Sequence, residues 1–228
     1  MSIRCLALLA GLFLAAPWLC LAQDGKSADG FTPLFNGKDL TGWKVGAGGK
    51  QEVWGAENGI LFVNGGGGGW LFTEQEYANF ELSLEFKLPE MGNSGVALRS
   101  PVKGDPAYVG MEIQILDDSN YKKNYKGLRP TQLTGAIYDI KAPSQDATKP
   151  HGEWNTFHIV ARGNKITVTL NGVQTVDADL NEFTSRLNAD GEKKLRAHPG
   201  LERTKGHIGL QSHDGRVEFR NIRIKVLD

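Results

Sequence analysis

The stretch Phe157-His-Ile-Val-Ala-Arg-Gly-Asn-Lys-Ile-Thr-Val-Thr-Leu-Asn-Gly-Val173 decides the fold class. Phe157, Ile159 and Ala161 recur at every second position, and so do Ile166, Val168 and Leu170. A period of two is the mark of a strand with one buried face. Arg162-Gly163-Asn164-Lys165 joins the two runs, and Leu170-Asn171-Gly172-Val173 follows them, both as hairpin turns. The same alternation recurs on both sides of this stretch. It is found at Gly59–Val63, Phe80–Phe86, Gly95–Arg99 and Met111–Ile115, and again at Gly206–Ser212 and Val217–Val226. Many short strands with turn signals between them predict an all-β sandwich of antiparallel sheets.

Little else competes with strand. Residues 179–196 hold Phe183 and Leu187 four apart among polar residues, predicting one or two helical turns on a sandwich edge. Residues 117–134 and 141–153 read as loops around the mouth of a site. Gly65–Gly69 is five consecutive glycines, expected as a flexible or ligand-hugging turn between two strands. No helix and Lys-Ser/Thr pair follow, so it is no phosphate-binding loop. Trp43 and Trp154 are expected as core anchors, and Trp70 as a residue that stacks on a ring.

The chain has 228 residues, with 26 basic and 26 acidic side chains and no net charge. That balance gives no bulk attraction for nucleic acid or an anionic membrane, so neither nucleic-acid binding nor membrane insertion is expected. A small neutral ligand is left open. Arg4, the apolar run Cys5–Leu21 and the exit at Ala22 read as a secretory signal peptide over residues 1–22. Pro17 and the shortness of the run argue against a membrane span. The expected product is a periplasmic or secreted protein with one domain over residues 23–228. Cys5 and Cys20 both fall in the leader, so no disulfide or thiolate metal site is expected after it.

Alternation also divides each strand into two sides. Val96 and Leu98 share one side, which leaves Arg99 with Gly95 and Ala97 on the other. Ile113 and Ile115 point inward, and Glu112 and Gln114 outward. Ile208 and Leu210 point inward, opposite His207, Gly209, Gln211 and His213. Solvation of a sheet face explains any one of these strands. The combination of carboxylate, guanidinium, imidazole and amides beside small residues suits a polyhydroxylated ligand. It also supplies an acid/base pair in Glu112 and His213. Asp117, Asp118 and Asp139 read as turn residues in preference to calcium ligands, His158 as a strand-surface residue, and His213-Asp214-Gly215 carries an Asp-Gly turn.

Phe31-Thr-Pro-Leu-Phe-Asn-Gly-Lys-Asp-Leu-Thr-Gly-Trp43 resembles the opening signature of the 3-keto-disaccharide hydrolase family. Further matches are Gly92-Asn-Ser-Gly-Val-Ala-Leu-Arg99, Gly110-Met-Glu-Ile-Gln-Ile-Leu-Asp117, Thr134-Gly-Ala-Ile-Tyr138 and Gly206-His-Ile-Gly-Leu-Gln-Ser-His213. The resemblance implies a concanavalin A-like jelly roll related to the laminarinase-type glycoside hydrolases. Those relatives carry Glu-x-Asp-x-x-Glu. Here the stretch is Glu112-x-Gln114-x-x-Asp117, which departs from a two-carboxylate retaining mechanism.

The resemblance implies a different route. A carbonyl at C3 acidifies the C2 hydrogen, its removal expels the group on C1, and water adds back. In that scheme Glu112 or His213 takes the C2 proton, Arg99 or a bound cation steadies the enolate, and the remaining acid/base group or Tyr138 assists the leaving oxygen. Gln114, Gln211, Tyr138, Asp117 and Trp70 are the candidate substrate-binding residues. A divalent metal ion on Glu112, His213 and water is open as a cofactor, and an upstream sugar 3-oxidoreductase as a partner. The alternative is a lectin-like carbohydrate-binding module without catalysis.

Overall fold

A computed structural model describes residues 27, 29–66, 68–189 and 198–228. The expected signal peptide, Gly67 and the end of the expected helical stretch lie outside the described residues. The first strands are β1 (Thr32–Pro33), β2 (Trp43–Gly46), β3 (Trp54–Glu57), β4 (Ile60–Asn64), β5 (Trp70–Tyr77), β6 (Phe80–Lys87) and β7 (Asn93–Ser100). They are followed by β8 (Met111–Leu116), β9 (Asn155–Arg162), β10 (Lys165–Leu170), β11 (Val173–Asp179), β12 (Gly206–Gln211) and β13 (Arg216–Val226). Three short helices join them: α1 (Pro106–Val109), α2 (Asp118–Asn124) and α3 (Leu180–Ala189).

The strands form two antiparallel sheets. The larger runs β11-β10-β9-β6-β13-β4-β3, with β1 added on β13, and the smaller runs β2-β5-β12-β7-β8. The two predicted hairpins are present, with Arg162 opposite Lys165 and Leu170 opposite Val173. At the second turn Asn171 has φ of 51° and Gly172 of 82°, the left-handed pair that a tight hairpin needs.

The core lies between the sheets. Leu82, Leu84, Phe157, Ile159 and Phe219 from the larger sheet meet Val96, Leu98, Ile113, Ile115, Ile208 and Leu210 from the smaller, all fully buried. Phe86 and Phe157 pack with centroids 4.8 Å apart. Trp43 joins this core and donates from its indole to Leu34 O at 2.8 Å. Trp154 does not: it is half-buried on the outer side, with the Arg220 guanidinium 4.0 Å and the Lys87 ammonium 4.9 Å from its ring. The cations of β6 and β13 hold it there. His158 is on that side too, 3.1 Å from Glu81.

The larger sheet keeps the buried/open alternation, as along β6. On the smaller sheet, β8 is buried at all six positions and β7 at all but the first. The polar alternates of its sequence are roofed by α1, which packs on β7 and β8, and by residues 135–138, which bond along the free edge of β8. The second expected loop, residues 141–153, has no helix or strand, whereas 117–134 contains α2. Asp117 caps that helix, accepting from Asn120 N, and the cap is the signal that marks it.

Candidate active site

The roof leaves a cavity of about 480 Å³ over the outer face of the smaller sheet. Trp70, Asn93, Asp105, Tyr108, Glu112, Gln114, Tyr138, Gln211 and His213 line it, with Gly68 and Gly69 on one wall. Six of the eight residues expected from sequence are therefore brought together: Glu112, His213, Gln114, Gln211, Tyr138 and Trp70. Asn93, Asp105 and Tyr108 are additions. Asp105-Pro106 is a helix-start signature, with Asp105 capping and Pro106 in the first turn, and it points Tyr108 at the site.

Glu112 is only 2 % exposed, and its Oε1 has no hydrogen-bond partner. Burial, reinforced by the charges of Asp105 and Asp139, pushes its carboxyl well above the usual carboxylate range. A Cβ on Gly95 in the neighbouring strand would lie 1.9 Å from that oxygen, so the carboxyl occupies space that only glycine leaves. On the other side, Tyr138 N donates to Glu112 O at 2.9 Å, which sets Tyr138 beside it. The Tyr138 hydroxyl is held by Gln132 Nε2 at 2.9 Å. Two further buried oxygens on the cavity wall, Asn93 Oδ1 and Gln211 Oε1, also lack partners. Burying three such unpartnered oxygens costs stability unless a ligand pairs with them.

His213 follows β12 and is exposed at the cavity wall. Its Nδ1 lies 2.7 Å from Asp214 Oδ2, and the Tyr121 hydroxyl donates to that same oxygen at 3.1 Å. Burial, and next the hydrogen bond to Asp214, pushes the Tyr121 hydroxyl up to about 12, so it remains a donor. The backbone of Asp214 is fixed by two bonds to Asn93, both 3.1 Å. The imidazole is thus oriented by a carboxylate on one nitrogen, which leaves the other for a substrate proton. The glycine run is strapped to this segment: Ser212 N donates to Gly69 O, and Gly65 N to Gly215 O, each at 2.8 Å. Gly69 has φ of 110°, and a Cβ there would lie 2.3 Å from Gly49 Cα, so close approach and turn both require glycine.

Arg99 is elsewhere, which corrects its assignment to the site. The β7–β12 register shifts between His207 and Gly209, and Arg99 has φ of 49°, so a bulge turns its side chain off the face that alternation assigns. It is 1 % exposed, and its guanidinium donates to Ala78 O at 2.8 Å, Gly163 O at 2.7 Å, and Arg203 O and Asn79 Oδ1 at 3.4 Å. It ties chain turns together and does not line the cavity.

Asp117 is corrected likewise: its carboxylate accepts from Met91 N, Asn120 N and Nδ2, and Ser119 Oγ, and it lies outside the cavity. No second carboxylate therefore arises from the Glu112-x-Gln114-x-x-Asp117 stretch. Asp118 is bonded to Thr134 and Asp139 to Arg129 and Tyr108, which engages both as structural residues. Among the described residues no three His, Cys, Asp or Glu side chains gather as a metal site. Asp105, Glu112 and His213 all line the cavity without gathering as such a site.

The fold and the relatives define a concanavalin A-like β-sandwich of glycoside hydrolase type. Residues 30–225 match the model of the 3-keto-α-glucoside-1,2-lyase-like domain, and the chain belongs to that family. It is 31 % identical to a 3-keto-disaccharide hydrolase of Bacteroides thetaiotaomicron, over 88 % of this chain and 80 % of that protein. Two crystal structures of candidate glycosyl hydrolases from Parabacteroides distasonis superpose well. One has TM-score 0.76 and 29 % identity, covering 88 % of this chain and 96 % of the other. The second has 0.73 and 35 %, covering 86 % and 99 %. A carbohydrate-binding module of Bacillus subtilis shares the fold at TM-score 0.53 and 12 % identity, covering 82 % of this chain and 98 % of the module.

Proposed function

We propose that the chain cleaves the glycosidic bond of 3-keto-glycosides by removing the C2 proton, expelling the group on C1 and adding water to the resulting enone. The observation that carries this reading is the pairing of two unlike acid/base groups on one cavity. Glu112 is buried and holds its proton, while His213 is accessible and oriented by Asp214. Their placement assigns the roles: the exposed imidazole of His213, oriented by Asp214, takes the C2 proton, and the buried carboxyl of Glu112 delivers one to the departing oxygen. The enolate oxygen at C3 falls to the Tyr138 hydroxyl and the Gln114 amide, which replace Arg99 in that role. The unpartnered oxygens of Asn93 and Gln211 accept from sugar hydroxyls. Export to the periplasm or beyond, and an upstream oxidoreductase that makes the keto-sugar, belong to the same proposal.

Support comes from the family match, from the relative's name, and from the Glu112-x-Gln114-x-x-Asp117 stretch, which brings Glu112 but no second carboxylate to the cavity. The test is product release from 3-keto-trehalose or 3-keto-lactose beside the unoxidised sugars, with and without chelator. Cleavage of the keto forms alone is expected. Cleavage of the parent sugars would make the protein an ordinary glycosidase, and saturable binding with no cleavage would make it a lectin-like module. Loss of activity with chelator would add the divalent ion.

Gly95→Ala tests the placement of Glu112. The added methyl must displace the carboxyl, and a misplacement of about 1 Å costs on the order of 10²-fold in rate. The expected result is a fall in kcat/KM of that order, with the circular dichroism spectrum of the wild type.

A further inference from the structure

A second cavity of about 290 Å³ adjoins the first, and the two share Asn93, Gln114 and Tyr138 as a common wall. Its far side is the end of α2 and the residues after it, among them Tyr121, Tyr125, Leu128 and Gln132. Tyr121 and Tyr125 stack with centroids 4.9 Å apart and an interplanar angle of 18°. Tyr121 is buried, while Tyr125 is 53 % exposed and, with Val226, one of two large exposed apolar residues among those described. An aromatic ring held flat by a buried partner, beside an otherwise polar site, is a preformed platform for another ring. The buried member of the pair also donates to Asp214, the carboxylate on His213, so the platform and the base share one support.

We infer that this second cavity is the subsite for the leaving group, and that Tyr125 selects leaving groups bearing a ring with a flat apolar face. The inference rests on the proposed cleavage of 3-keto-glycosides for which side of the substrate lies where. The keto-sugar occupies the cavity of Glu112 and His213, and its C1 substituent crosses the shared wall of Gln114 and Tyr138 onto Tyr125. The recognised chemistry is a C–H or π face. A second hexose and an aryl group both offer one, and a methyl aglycone offers none.

Calorimetric titration with unoxidised methyl glucoside, phenyl glucoside and a glucose disaccharide tests the subsite without requiring turnover. The wild type should bind the ring-bearing ligands more tightly than the methyl glycoside. Tyr125→Ala should cut that preference about two- to tenfold, and Tyr125→Phe should retain it. Loss for the phenyl ligand alone assigns an aryl aglycone, and loss for the disaccharide alone assigns a sugar. An unchanged preference in Tyr125→Ala, or no preference in the wild type, overturns the inference. These outcomes are independent of whether any keto-glycoside is cleaved, so the subsite and the reaction fall separately.

Discussion

Glu112→Gln is expected to lower kcat/KM on a 3-keto-glycoside by about 10²- to 10⁴-fold, the range that one positioned acid/base group contributes. The substitution keeps the shape of the side chain over Gly95 and removes only the transferable proton. Its effect on stability has the opposite sign. In the folded protein burial, with the charges of Asp105 and Asp139 next, holds the carboxyl well above its ordinary value, whereas in the unfolded chain it ionises normally. As pH rises past the unfolded value, the unfolded chain sheds a proton that the folded protein retains, and stability falls. Glu112→Gln lacks that proton equilibrium. The variant should therefore gain stability relative to wild type as pH is raised from about 4 towards neutrality, while activity is lost throughout. Urea unfolding at several pH values, beside kinetics on the keto-sugar, checks both. A variant that is inactive because it is unfolded would refute the assignment.

The second large effect is on stability. Arg99→Ala should cost about 3–5 kcal/mol, because it strips a buried charged donor from the main-chain oxygens of Ala78, Gly163 and Arg203. Arg99→Lys should recover little of this, since one ammonium cannot span acceptors that a planar guanidinium reaches together. Denaturant midpoints measure the loss. An Arg99→Ala protein as stable as wild type but unable to turn over substrate would return Arg99 to the catalytic group.

Arg99 also shows where a sequence reading stops. Strict alternation along Gly95–Arg99 puts its side chain with Ala97, and that inference fails at the bulge, which no local residue pattern announces. Elsewhere the pattern is dependable. The runs around Phe157 and Ile166 become paired strands, and Ile113, Ile115, Ile208 and Leu210 enter the core, which carries Glu112, Gln114 and Gln211 to the outer face.

What alternation cannot reveal is that this outer face is itself covered. Burial of Glu112 depends on α1 and on residues 135–138, distant in sequence, and so does the raised proton affinity that assigns its role. β5 lacks alternation at its start for the same reason: Trp70, Leu71, Phe72 and Thr73 are all buried, so the strand opens without an exposed side. α2 was announced by the Asp117 cap, but two adjacent aspartates read equally well as a turn. Trp154 reads as a core anchor because it follows Glu153 at a strand start. The cations that hold it outside come from β6 and from β13, the last strand of the chain.

The most direct measurement of the central claim is where hydrogen goes at C2. A 3-keto-disaccharide cleaved by the enzyme in deuterium oxide, with product and remaining substrate examined by NMR against an enzyme-free control, reports it. Proton removal by His213 followed by hydration predicts one deuterium at C2 of the released keto-sugar and slower turnover of a C2-deuterated substrate. A product that keeps its original C2 hydrogen, formed with no isotope effect, would contradict the elimination route and leave direct displacement at C1.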